Sequence, residues 1–114
     1  MTTLPVMCGF FRMTAAMWTT REDRQITLDL QKFAERQNHR FGCVFAEDER
    51  FPRLGAWQNM INFCRDAGWR DVAVPTLVHL DSSPLLAAYI RDDLADEIGG
   101  TIWIMEDHAQ EVSS

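Results

Sequence analysis

Pro5 to Met13 is an apolar run, Val-Met-Cys-Gly-Phe-Phe at its centre, with no polar residue alternating through it. A strand with one wet face alternates polar and apolar residues, so an unbroken run of this length suits a strand covered on both faces. It is too short for a helix of ordinary length. One such strand near the start of the chain already demands a sheet with material on both sides, which is how parallel α/β sheets are built.

The segments that follow supply that material. Ile26, Leu30, Phe33 and Ala34 recur at helical spacing, with Thr20 as the expected cap and Glu22 and Asp23 in the first turn, where the helix dipole favours carboxylates. Phe41 to Ala46 reads as a second strand. Trp57, Met60, Ile61 and Cys64 lie at offsets of three, four and seven, the buried stripe of a second helix that Gly68 terminates. Asp71 to Val74 is a short strand stopped by Pro75. Ser83-Pro84 starts a third helix, with Leu86, Tyr89, Ile90 and Leu94 as its expected buried stripe and Gly99-Gly100 as its end. Thr101 to Met105 is a fourth strand.

The order β-α-β-α-β-α-β predicts an α/β three-layer sandwich: a mostly parallel four-stranded sheet with helices on both faces. With 114 residues, 46% of them hydrophobic, one core is expected. Residues 1–106 make a single domain and 107–114 a polar C-terminal tail. Seven Phe and four Trp add bulky apolar mass, each large aromatic burying on the order of 150–250 Å².

Composition limits function. Eleven Lys and Arg against seventeen Asp and Glu leave a formal charge of −6, the wrong sign for a domain that grips phosphates with its whole surface. Any DNA contact is therefore local and weak in isolation. Cys8, Cys43 and Cys64 form no CxxC pair and sit in apolar runs, as reduced core thiols do. No signal-peptide pattern or apolar span of about 20 residues is present, so a cytoplasmic protein with no membrane contact is expected. His39, His79, His108 and the cysteines lack the local spacing of a metal site, and no cofactor is implied.

Open parallel sheets bind ligands beyond the carboxyl ends of their strands. That rule selects Arg12 to Thr20, Glu47 to Leu54 and Thr76 to Ser83. Arg12, Thr14, Arg53 and His79 are the candidate site residues, with Asp48 and Asp81 as possible ion-pair partners for the two arginines.

At these loops the chain resembles the catalytic domain of the resolvase/invertase serine recombinases. Gly9 to Thr14, Gly-Phe-Phe-Arg-Met-Thr, is similar to the family's Tyr-x-Arg-x-Ser, placing Phe10 at the Tyr, Arg12 at the Arg and Thr14 at the nucleophilic Ser. Gln25, Leu30, Phe33 and Ala34 are similar to the Gln, Leu and aromatic-Ala of the next helix. Arg53-Leu54-Gly55-Ala56 resembles Arg-Pro-Gly-Leu, with Arg53 at a catalytic Arg. Leu77 to Ser83 resembles Leu-Asp-Arg-Leu-Ser-Arg-Ser, but Val78 replaces the Asp, His79 the first Arg and Ser82 the second. The likeness runs over about residues 6 to 106 as ordered short matches.

What the resemblance implies is attack of a Ser hydroxyl on a DNA phosphodiester, with arginines holding the phosphate; Arg suits this because its planar fork binds phosphate oxygens in pairs. Two of those arginines are missing, and the nucleophile is a β-branched secondary alcohol. The expectation is a degenerate member that works through self-association as a dimer or through a protein partner. The alternatives are an active or partner-completed recombinase using Thr14, and an anion- or nucleotide-binding domain, although no Gly-rich phosphate loop is present. Family members continue into a dimer helix and a DNA-binding domain, which the nine residues after the fourth strand are too few to supply.

Overall fold

The structure, a computed structural model, describes residues 3–14, 17, 20–48 and 56–112. Its strands are β1 (Val6–Met13), β2 (Arg40–Asp48), β3 (Asp71–Val74) and β4 (Thr101–Ile104), and its helices are α1 (Glu22–Arg36), α2 (Ala56–Ala67) and α3 (Pro84–Ile98). Short 3-10 segments cover Leu77–His79 and Met105–Val112. The strands form one four-stranded sheet in the order β2-β1-β3-β4, and every pairing is parallel.

Two cores flank the sheet, and β1 feeds both. Cys8 and Phe10 face α2 and α3, where they meet Met60, Cys64, Leu94 and Ile98. Met7, Phe11 and Met13 face α1, against Leu30, Phe33 and Ala34. The unbroken apolar run thus fills both faces, as expected. Gly9 lies where α1 comes closest: a Cβ there would stand 2.8 Å from Leu30 Cδ1.

α1 covers one face alone, whereas α2 and α3 share the other. The chain leaves β1 through α1 to reach β2, then returns over β1 through α2 to β3. The direction of winding therefore reverses between β1 and β3, and the crevice at their carboxyl ends is where an open α/β sheet takes a ligand.

Several local signals act as their residue types require. Ser83 Oγ accepts from the Leu86 N–H at 3.5 Å with Pro84 at the first helical position. Gly99 closes α3 at φ 66° and Gly68 follows α2 at φ 72°, left-handed values that glycine adopts without steric cost. Two expectations are corrected. The cap of α1 is Arg21, at φ 61° and ψ 26° with no side-chain cap bond, rather than Thr20. The buried stripe of α3 is Ala87, Leu94 and Ile98, with Ile90 partly buried, while Leu86 and Tyr89 point to solvent. The first two turns of α3 are apolar nearly all round, so periodicity does not choose a face; fully buried Ala87 does, because a small side chain lets the helix approach the sheet. In the polar C-terminal stretch His108 rests on the rings of Phe33 and Trp103, with centroids 5.5 Å away in each case.

The cysteines are free, Cys8 and Cys64 fully buried and Cys43 partly so. The hydrogen bond from Cys64, at 3.8 Å between sulfurs, together with burial pushes the Cys8 thiol far above its ordinary range. Burial raises Cys43 as well. Protonated and enclosed, the Cys8 thiol is a packing group rather than a nucleophile. Among the described residues no helix is long and apolar enough to cross a membrane.

Candidate functional site

The winding reversal brings together three of the four candidate residues. Arg12 is the penultimate residue of β1, Thr14 follows the strand, and His79 ends the 3-10 turn after β3. All three line a single cleft of about 400 Å³, together with Glu22 and Ile26 of α1 and Ser82. Arg53 lies outside the described residues.

The cleft is built by one long-range contact. The Arg12 backbone N–H donates to His79 Nδ1 at 2.9 Å, joining the end of β1 to the turn after β3. The turn is set by its own main chain, with His79 N–H on the Thr76 carbonyl and Leu80 N–H on the Leu77 carbonyl. Asp81 finishes it by accepting the Ser83 N–H at 2.8 Å, so this carboxylate shapes the entry to α3 and does not pair with Arg12.

That contact decides the chemistry of His79. Because Nδ1 accepts a backbone N–H, the ring proton sits on Nε2 and the imidazole is neutral. Burial and, secondarily, the nearby Arg12 guanidinium hold its pKa below the ordinary 6.5. Protonating Nδ1 would turn an acceptor toward a donor. Neither free base nor cation, His79 offers the cleft one N–H.

This makes a stability prediction. The folded state binds its proton on His79 less readily than the unfolded state, so the His79 contribution is fully present above pH 6.5 and is lost as the pH falls below it. His79→Asn keeps an acceptor near the Nδ1 position but does not titrate. Urea unfolding at a series of pH values is expected to show a shallower loss of stability below pH 6.5 in this variant than in the parent. His79→Ala, which strands the Arg12 N–H, is expected to cost about 1 kcal/mol at neutral pH.

Arg12 follows Cys8 and Phe10 onto the face covered by α2 and α3. Its Nη2 contacts Glu47 Oε2 and the Leu80 carbonyl, each at 3.4 Å, while its buried Nε has no hydrogen-bond partner. Sequence reasoning offered Asp48 or Asp81 as its partner; the sheet register aligns Arg12 with Glu47 instead and Met13 with Asp48. Around the guanidinium a second cleft, of about 350 Å³, carries Glu47, Asp81, Asp93 and Glu97 above a floor that includes Trp57 and Ile61. Among the described residues four acidic side chains thus line this cleft, and Glu47 is the one in contact with the guanidinium. Asp93 follows Ile90 by three residues and Glu97 follows Asp93 by four, so the three share the side of α3 that lines this cleft.

Thr14 is held through its main chain, its N–H on Met17 Sδ at 3.3 Å and its carbonyl accepting the Met17 N–H. Among the described residues no side chain hydrogen-bonds its hydroxyl. A threonine nucleophile needs a base to take its proton, and His79, the only imidazole in the cleft's lining, has its lone pair engaged elsewhere. Among the described residues no three of His, Cys, Asp and Glu converge as a metal site would need. No protein-family model matches the chain, and no curated protein matches it.

Proposed function

We propose that this chain is a catalytically degenerate serine-recombinase-like domain that works through protein contacts, as a self-associating or regulatory module of a DNA-handling system. The reading rests on the residues between Gly9 and Ser83 that resemble the recombinase catalytic segments. The observation that carries the loss of chemistry is the Arg12 N–H to His79 Nδ1 bond, which leaves a neutral imidazole at the position of a phosphate-binding arginine.

Magnitudes favour this reading over the active alternative. Each missing preorganised donor costs about 2.7–4 kcal/mol of barrier, so two losses remove roughly four orders of magnitude or more in rate. Arg12, paired with Glu47 in a cleft that further carboxylates line, attracts a phosphodiester weakly, and among the described residues no base is hydrogen-bonded to the Thr14 hydroxyl. A cytoplasmic location fits such a module.

The test is incubation with supercoiled plasmid and with nicked suicide substrates, followed by denaturing electrophoresis. No covalent protein–DNA adduct is expected. An adduct that disappears in Thr14→Ala would overturn the proposal in favour of the active recombinase. An anion- or nucleotide-binding role would require a rise in thermal midpoint on adding inorganic phosphate or a nucleotide, and none is expected.

A further inference from the structure

The exposed start of α3 is apolar in a way that its burial does not explain. Leu85 is 82% exposed, Tyr89 69% and Leu86 54%, and Val78, on the turn that packs against α3, is 65% exposed. Single exposed apolar residues are ordinary, but a cluster of this size marks a contact surface. Helical spacing puts Leu85 beside Tyr89, and Leu86 one turn before Ile90.

From Ile90 the same side of the helix runs into the cleft that holds Asp93 and Glu97. The surface therefore changes character along one helix, from an exposed apolar ridge to an acidic cleft with an apolar floor. Trp57 and Ile61 supply that floor, and Glu47 and Asp81 add further carboxylates. Among the described residues that line it, the guanidinium is that of Arg12, already against Glu47. An aliphatic stem with a cationic head fits such a cleft: the stem lies on Trp57 and Ile61, and the head meets carboxylates and the indole face.

The charge also selects the occupant. A second copy would bring the same acidic rim and the same net charge of −6 against this one. We propose that α3 and the adjoining cleft dock a basic amphipathic helix of another protein. Its apolar stripe covers Leu85, Leu86 and Tyr89, and an Arg or Lys from its next turn enters between Asp93 and Glu97. Helix-on-helix packing suits the ridge that these side chains form. The inference deepens the protein-contact reading above and rests on it.

The probe is a fluorescein-labelled synthetic helix whose leucine stripe runs into a cluster of arginines, compared with a counterpart carrying glutamates in place of the arginines. Anisotropy titration is expected to give binding of the arginine peptide at least about tenfold tighter than of the glutamate peptide. Asp93→Asn with Glu97→Gln is expected to weaken the arginine peptide about tenfold, and Leu85→Ser with Tyr89→Ser to abolish binding. All four positions are at the surface, so the variants should keep the parent's circular dichroism and thermal midpoint. Equal affinity for the two peptides, or no response to either double variant, overturns the proposal. So does sedimentation showing the chain paired with itself through Tyr89. The assay contains no DNA: a covalent DNA adduct would end the degenerate reading and leave the peptide result intact, whereas failed peptide binding without any adduct would remove only the docking surface.

Discussion

Gly100→Ala is expected to destabilise the domain by on the order of 4 kcal/mol, the largest effect of any single methyl group added to it. An alanine Cβ would stand 1.8 Å from the Arg70 carbonyl oxygen, which is backbone and does not move as a side-chain tip would. That oxygen accepts the Thr101 N–H at 2.8 Å, the first bond in register between β3 and β4. Relieving the clash therefore unzips the start of the edge strand. Gly68 and Gly99 are the internal controls: nothing stands within 4 Å of a Cβ at either, and only their positive φ opposes a side chain, so alanine there is expected to cost about 1 kcal/mol. Urea denaturation of the three variants checks the contrast.

Phe10→Ala is the second large effect, at about 3–5 kcal/mol. Phe10 is fully buried in the centre of β1, on the face that α2 and α3 cover. Its ring meets Trp57 edge to face with centroids 4.9 Å apart and planes at 79°, a geometry that contributes roughly 0.5–1.5 kcal/mol beyond area. Since Trp57 is also floor to the acidic cleft, the cavity opens directly beneath it. For a domain whose whole stability is typically about 5–15 kcal/mol, this change consumes a large share. Near-ultraviolet circular dichroism and the urea midpoint are expected to fall together. Phe63→Ala, at an exposed ring, is expected to cost far less.

What could be read from residues follows a physical divide. The run from Val6 to Phe11 announces a doubly covered strand because burial on both faces erases alternation, and Trp57, Met60, Ile61 and Cys64 announce their helix because only one stripe of it is apolar. Ser83-Pro84 and Gly99 are local stereochemistry and need no tertiary context, whereas glycine at 100 is required by the Arg70 carbonyl. The face chosen by α3 was not legible, since Leu85, Leu86, Tyr89 and Ile90 give no unique stripe. Nor was the partner of Arg12, because Glu47 becomes its neighbour only through the β1–β2 register. The state of His79 depends on a backbone donor 67 residues away, which no local pattern carries. Arg12, Thr14 and His79, which the strand-end rule selects, line one cleft; the pairing of Arg12 with Glu47 and the main-chain N–H on His79 are tertiary facts.

The proposed loss of phosphate chemistry hinges on that neutral ring. Two-bond proton–nitrogen correlation spectra of the uniformly nitrogen-15-labelled protein report the tautomer of each histidine directly, and His79→Asn identifies the His79 signals by their disappearance. At neutral pH His79 is expected as the Nε2–H tautomer, with Nδ1 showing the shift of an unprotonated, hydrogen-bonded acceptor. An imidazolium at neutral pH, or the Nδ1–H tautomer with a free Nε2 lone pair, would contradict it and would give the cleft a further cation or an imidazole base beside Thr14.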